Sequence, residues 1–332
     1  METTVTVKQL TKTYKSHKRG QGFFEAVKSL FNRKVVYSQA VKRISFSIKR
    51  GELVGFVGQN GAGKSTTIKM LTGVLYPTSG DVNVLGFTPW KQRQTYVRHI
   101  GAVFGQKSQL WWDIPPIDSF YLSRAMYDIP EKDFQARLKE MSKLLNINEV
   151  MHRPTRDLSL GERMKCEFVM ALLHNPQILF LDEPTIGVDA LAKEELREFL
   201  KRINEKYQTT IVLTTHDMDD IEELCKRVIV IDQGSIIYDD DLKKVKAKYV
   251  KWKTIDVDFS SVKSKKKFSS LLEKGEVTVN KQHFVSIRVP VDRVHVPTFV
   301  KELMACCDVV DLVVRESRLE HVIKEIYKDT RK

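Results

Sequence analysis

The sequence predicts an α/β fold with a parallel-sheet core, followed by a small α+β module, and three observations carry that prediction. Short, continuously apolar runs alternate with amphipathic helical runs between residues 178 and 231, the pattern of strands covered on both faces by helices. A glycine-rich loop at 58–66 stands between an apolar run and a helical one. Near residue 245 the chain turns lysine-rich, and a second series of strand and helix periods begins. Domains are therefore placed at 1–244 and 245–332, the natural division for a 332-residue chain.

Residues 4–9 and Val41 to Ile48 alternate as half-buried strands do, and Leu53 to Val57 forms an apolar strand that enters the loop. From Ser65 to Leu75 the residues Ile68, Leu71 and Val74 make one helical stripe, with Pro77 as the stop. A basic insert at about 15–36 carries Phe23, Val27, Leu30 and Phe31 at helical spacing. It reads as an amphipathic helix packed on its own domain or docked on a membrane or partner. A helical subdomain is expected at about 107–165, with helices Phe120–Tyr127 and Phe134–Leu145 punctuated by prolines. Strand Ile178–Leu181, helix Leu191–Ile203, strand Thr210–Thr214, helix Met218–Cys225 and strand Val228–Ile231 complete the parallel-sheet region. The C-terminal series is strand 254–259, helix 265–272, strands near 276–279 and 284–289, helix 298–305, strand 309–314 and helix 319–327. That order suits a ferredoxin-like module.

Composition narrows the function. With 42% apolar and 29% charged residues the chain is an ordinary globular one, and its net charge of +13 favours an anionic partner. No uncharged apolar run reaches the roughly 20 residues of a spanning helix, and the N-terminus lacks a signal-peptide pattern. The expectation is a chain that neither spans a membrane nor is exported. Cys166, Cys225, Cys306 and Cys307 show no metal or redox spacing and read as reduced packing residues.

The stretch Gly58, Gln59, Asn60, Gly61, Ala62, Gly63, Lys64, Ser65, Thr66 satisfies the Walker A pattern for ATP. Its glycines let backbone amides turn in around the β-phosphate, Lys64 reaches the β- and γ-phosphates, and the Ser65 hydroxyl can ligate Mg2+. Downstream, Ile178 to Asp182 is a buried strand ending in an acid, the Walker B arrangement, with Asp182 as a magnesium partner. Glu183 follows as the group to orient or deprotonate the attacking water.

Through these motifs, residues 4–240 resemble the nucleotide-binding subunits of ABC transporters. Gln106 matches the Q-loop glutamine, which the resemblance implies contacts magnesium and the attacking water. Leu158-Ser159-Leu160-Gly161-Glu162 is similar to the family signature, usually Leu-Ser-Gly-Gly-Gln, and departs from it at Leu160 and Glu162. Ser159, Gly161 and Glu162 are thereby placed at a γ-phosphate, and Ser159 with Glu162 also reads as a capping box. Ile186-Gly187-Val188-Asp189 resembles the D-loop, and His216 the switch histidine. Tyr37 is the expected adenine-stacking residue, with Tyr14 as the alternative. The implied fold is an ABC cassette with an antiparallel β subdomain and a helical subdomain.

The family logic implies that Ser159 and Gly161 serve nucleotide held by another cassette, so a second copy in head-to-tail arrangement is expected. Trp111-Trp112-Asp113, the Leu-Ser-Leu-Gly signature and the segment around His216 resemble bacterial ABC-2 exporters. The resemblance implies a separate membrane permease and a peripheral place on the cytoplasmic face of the membrane. Trp111 and Trp112 read as permease contacts or as subdomain core. The rival is a soluble ABC-type ATPase acting on ribosomes or nucleic acid. No nucleic acid partner is expected, since neither a second cassette nor a long coiled coil is present. The C-terminal module is expected to regulate or stabilise the dimer.

Overall fold

The computed structural model describes residues 2–17, 35–105, 107–316 and 319–330. The chain divides into two compact units, Met1–Asp240 and Asp241–Lys332. Among the described residues, no helix is long and apolar enough to cross a membrane. The helix expected between residues 15 and 36 falls mainly on 18–34, outside the described residues.

In the first unit β1 (Thr3–His17) pairs antiparallel with β2 (Val35–Lys49) and with β4 (Ser79–Val84). Both strands exceed their expected lengths because bulges interrupt the alternation. Gln9 and Arg43 take positive φ there, which shifts the face on which apolar residues fall. Between β2 and β4 lie β3 (Leu53–Val57) and α1 (Lys64–Leu71). The expected continuation to Leu75 is wrong: Gly73, at φ 69°, returns its amide to Met70 and ends the helix before Pro77. Val74 consequently leaves the stripe and is exposed.

Next come β5 (Ile100–Phe104), α2 (Pro116–Met126), α3 (Glu131–Leu144) and α4 (Leu160–Leu172). They precede β6 (Ile178–Asp182), α5 (Ala190–Tyr207), β7 (Thr210–Thr214), α6 (Met218–Leu224), β8 (Arg227–Asp232) and β9 (Ser235–Asp241). The central sheet has the order β5-β6-β7-β3-β8-β9, with parallel pairing from β5 through β8. The parallel core, antiparallel subdomain and helical subdomain anticipated from sequence are all present. Phe46, Phe56, Ile68, Met70, Tyr96 and Phe180 belong to the core that joins the two sheets through α1. Because Phe56 and Asp182 both lie opposite Thr214, the carboxyl ends of β3, β6 and β7 converge. In open α/β sheets this is where ligands bind.

The second unit begins with α7 (Leu242–Tyr249), which takes up the lysine run, and continues with β10 (Trp252–Val262) and α8 (Lys265–Leu272). It then runs through β11 (Glu276–Lys281), β12 (Phe284–Pro290), α9 (Val296–Cys306), β13 (Cys307–Glu316) and α10 (Leu319–Thr330). The antiparallel order β11-β12-β10-β13 is that of a ferredoxin-like module. Ile255, Val257, Ile287, Phe268 and Phe299 form its core, and α10 packs on α7. All four cysteines are free and buried.

Candidate functional site

The loop from Gly58 to Gly63 wraps closely because three positions carry glycine. Gly61 and Gly63 have φ of 80° and 109°, a region L side chains avoid. A Cβ on Gly63 would stand 2.5 Å from the Ala40 carbonyl oxygen, and one on Gly58 would stand 2.4 Å from that of Ile231. Gly63 also caps α1 without any side-chain hydrogen bond. The first-turn amides of Lys64, Ser65 and Thr66 therefore face an anion site at the positive end of a helix. Gln59 and Asn60 form the exposed rim, and Ala62 is buried beneath it.

Lys64 is 5% exposed, and its ammonium donates to the carbonyls of Gly58 at 2.8 Å and Gln59 at 3.3 Å. Glu183 Oε1 stands 3.7 Å away, and Glu183 Oε2 meets His216 Nδ1 at 2.5 Å. One carboxylate thus joins the lysine of the loop to the histidine after β7. The other carboxylate, Asp182, is buried and accepts from the Ser65 hydroxyl at 2.9 Å and the Thr214 hydroxyl at 2.6 Å. A buried ammonium held by carbonyls beside open amides fits a polyphosphate. A hydroxyl paired with a carboxylate is a hard oxygen set that fits Mg2+ arriving on that polyphosphate. No group of three carboxylate, imidazole or thiol ligands exists among the described residues.

Four supporting features escape the sequence. Thr214 reads only as the end of an apolar strand, yet it fixes Asp182 and its carbonyl accepts the Glu183 amide at 2.9 Å. Glu183 itself has φ 54°, a left-handed conformation that costs energy for a non-glycine residue and turns the carboxylate out of the strand. Gly105 donates its amide to the Asp182 carbonyl, and a Cβ there would come 2.0 Å from the Glu183 carbonyl oxygen. Behind the site, Asp220 is 1% exposed and accepts from Thr185 at 2.6 Å, Thr215 at 3.3 Å and Arg197 Nε at 2.7 Å. It ties the corner after β6 to the corner after β7. The acidic run following His216 was its only signal.

The signature lies on α4. Ser159 is its N-cap, accepting from the Glu162 amide at 3.2 Å, while Glu162 Oε2 accepts from the Ser159 amide at 2.8 Å. The capping-box role is therefore formed. Burial acts to raise the Glu162 carboxyl, but the Ser159 hydrogen bonds and nearby Arg153 hold it below its ordinary range. Both departures from the usual signature have local partners. Leu160 reaches to 3.2 Å of the Cβ position of Gly187, and Gly161 leaves room for Ala192 and Asp189, which its own Cβ would approach to 2.8 and 3.0 Å. Asp189 caps α5 through the Ala192 amide at 3.0 Å. Among the described residues, no hydrogen bond or ion pair joins Ser159 or Glu162 to Lys64, Ser65, Asp182, Glu183 or His216.

Gln106 lies outside the described residues. Tyr14 stands opposite Ser38 and Tyr37 opposite Lys15, so the two tyrosines point to opposite faces of the β1–β2 pair and cannot both stack on one adenine. Tyr37 is 68% exposed. Trp111 and Trp112 are 60% and 54% exposed and so do not belong to the subdomain core; Tyr121, Leu122 and Met126 on α2 are exposed as well.

Residues 41–186 match the family model described as ABC transporter. The chain is 34% identical to the ABC transporter ATP-binding protein NatA of Bacillus subtilis over 62% of this chain and 82% of that protein. It is 33% identical to the linearmycin resistance ATP-binding protein LnrL of the same organism, over 64% of this chain and 67% of that one. A solved dimer of the ATP-binding cassette MJ0796 with ADP and Pi superposes with a TM-score of 0.59 at 27% identity, over 72% of this chain and 98% of that one. With the loop, the two carboxylates and the histidine gathered at one sheet edge, the chain belongs to the ABC transporter family and carries that family's ATP-hydrolysing cassette.

Proposed function

We propose that this chain is the ATP-binding and hydrolysing subunit of an ABC-2 type exporter, working as a pair of copies beneath a separate membrane permease on the cytoplasmic face. The observation that carries the chemistry is Glu183, set between Lys64 and His216 at the mouth of the glycine loop. On nucleotide binding Lys64 exchanges the carbonyls of Gly58 and Gln59 for phosphate oxygens, and the amides of the loop and of the first turn of α1 hold the remaining phosphate charge. His216 orients Glu183, whose carboxylate accepts a proton from the attacking water. Ser65, Asp182 and Gln106 are the residues to hold Mg2+, which supplies charge neutralisation to the phosphates when bound.

Among the described residues, Ser159, Gly161 and Glu162 make no hydrogen bond or ion pair to this set, which supports a role toward nucleotide held by a second copy. Exposed Ile186 and Leu191 beside Asp189 support the same face as the copy-to-copy contact. Tyr37 stacks on adenine in this reading, with Tyr14 as the alternative on the opposite face. The exposed apolar surface of Trp111, Trp112, Tyr121, Leu122 and Met126 supports docking of a permease segment. The similarity to LnrL, a linearmycin resistance ATP-binding protein, supports export. The second unit is proposed to stabilise or regulate the pair.

Glu183→Gln tests the chemistry, since it keeps shape and removes the proton acceptor. ATP turnover should fall at least about a hundredfold, at the low end of general-base effects, and Mg-ATP should trap a dimer visible by gel filtration. Normal turnover refutes the assignment. Trp111→Ala with Trp112→Ala tests the docking: the chain should leave the membrane fraction with its ATPase intact, and undiminished membrane association speaks against the patch.

A further inference from the structure

Glu167 lies on the buried side of α4, the helix that Ser159 opens, and is 2% exposed. Its Oε1 accepts from the Ser108 hydroxyl at 2.5 Å and the Gln109 amide at 2.9 Å, with the Leu110 amide at 3.4 Å. Its Oε2 lies 3.2 Å from the Gln109 amide. A carboxylate is a costly group to bury, and an apolar side chain would pack α4 at less expense in desolvation. What a carboxylate adds here is an acceptor for donors from 108–110, a segment separated from Gln106 by Lys107 alone. The same segment is anchored on its other side by Gln109 Nε2, which donates to the Ala102 carbonyl of β5 at 2.6 Å. Leu110, 5% exposed, closes it before the exposed Trp111 and Trp112.

The geometry points to Glu167 as a positioning residue for ATP hydrolysis: from the helix opened by Ser159, it clamps 108–110, the segment that begins two residues beyond Gln106 in sequence. This rests on the roles given above to Gln106 and Ser159. Glu167 touches neither nucleotide nor water, and it acts through the backbone it clamps.

The test uses the full-length chain. Glu167→Met keeps similar bulk and removes every acceptor. It should lower kcat about tenfold or more while ATP affinity, read by titration with a fluorescent ATP analogue, changes less than about twofold. Glu167→Gln retains one acceptor oxygen and should recover at least about a third of kcat. Ser108→Ala removes one donor without touching the helix and should lower kcat in the same direction. Combined with Gln106→Ala, Glu167→Met should add no further loss, because the two act as a unit. In hydrogen exchange without nucleotide, the Gln109 and Leu110 amides should exchange at least about tenfold faster in Glu167→Met. Unchanged kcat, additive losses, or parallel losses of kcat and ATP affinity that track loss of folded protein would each overturn the proposal. Absence of turnover in the wild-type chain removes the hydrolysis reading, whereas unchanged exchange at 109 and 110 removes the clamp itself.

Discussion

Asp220 offers the sharpest test of how the site is held. It is 1% exposed, and Arg197, whose side chain is 12% exposed, reaches its Oδ1 with Nε at 2.7 Å and Nη2 at 2.6 Å. The other oxygen accepts the hydroxyls of Thr185 and Thr215. Removing one member of a buried ion pair costs roughly 3–5 kcal/mol because the remaining charge is left unpaired. Arg197 would keep Glu223 at 2.9 Å and Asp217 at 3.9 Å, which places this pair at the low end. The two orphaned hydroxyls add about 1 kcal/mol or less each, since each can rotate toward another acceptor. Asp220→Ala should therefore destabilise the first unit by about 4 kcal/mol and Asp220→Asn, which keeps both hydroxyl bonds but loses the charge pairing, by about 3 kcal/mol. Urea unfolding of the full chain, followed through the transition of the first unit, measures both. Activity should fall with stability, because Asp220 joins the corner bearing Glu183 to the corner bearing His216. A loss below about 1 kcal/mol for the alanine variant, within the range of one ordinary hydrogen bond, would refute the view that this carboxylate holds the two corners together.

Lys64→Ala should weaken ATP binding by roughly 2–5 kcal/mol, the effect of truncating one partner of a buried charged contact; equal affinity by calorimetry would contradict the placement of its ammonium. His174 gives a pH signature. Burial pushes its imidazole down to about 4, with Arg137 and His99 acting in the same direction and the Ile100 carbonyl opposing them. Between its ordinary value near 6.5 and about 4 the unfolded chain binds a proton that the folded chain refuses, so this contribution to stability is lost as pH falls through that window. Compared with His174→Gln, the wild-type first unit should lose on the order of 3 kcal/mol more between pH 7 and pH 4 in urea unfolding. Parallel pH profiles for the two proteins would show that His174 does not titrate in this way.

Much of the fold was legible because its period is written into the chain. The buried strands β3, β6 and β7 are continuous apolar runs with little alternative, and α5 carries Leu196, Phe199, Leu200 and Ile203 on one stripe. Two of the strands that escaped, β4 and β9, have a broken pattern. β4 reads Ser-Gly-Asp-Val-Asn-Val because one of its faces is open, and β9 is only half-buried at the sheet edge. Bulges hid the full length of β1 and β2 in the same way. At α1, Gly73 rather than Pro77 sets the end, because its left-handed turn comes four residues before the proline.

By itself the sequence determined which groups could meet phosphate, because a loop amide, a lysine and a hydroxyl at fixed spacing act locally. Lys64 and Ser65 needed no distant residue to be recognised, and Asp182 and Glu183 needed only the apolar strand before them. Only the tertiary structure decided what holds these groups in place. Thr214 on Asp182, Gly105 against Glu183, Asp220 across two corners and Glu167 beneath 108–110 are contacts between segments remote in sequence. A threonine, a glycine or an acid carries no periodic signal of its own, and its role appears only when the parallel sheet brings the ends of its strands together.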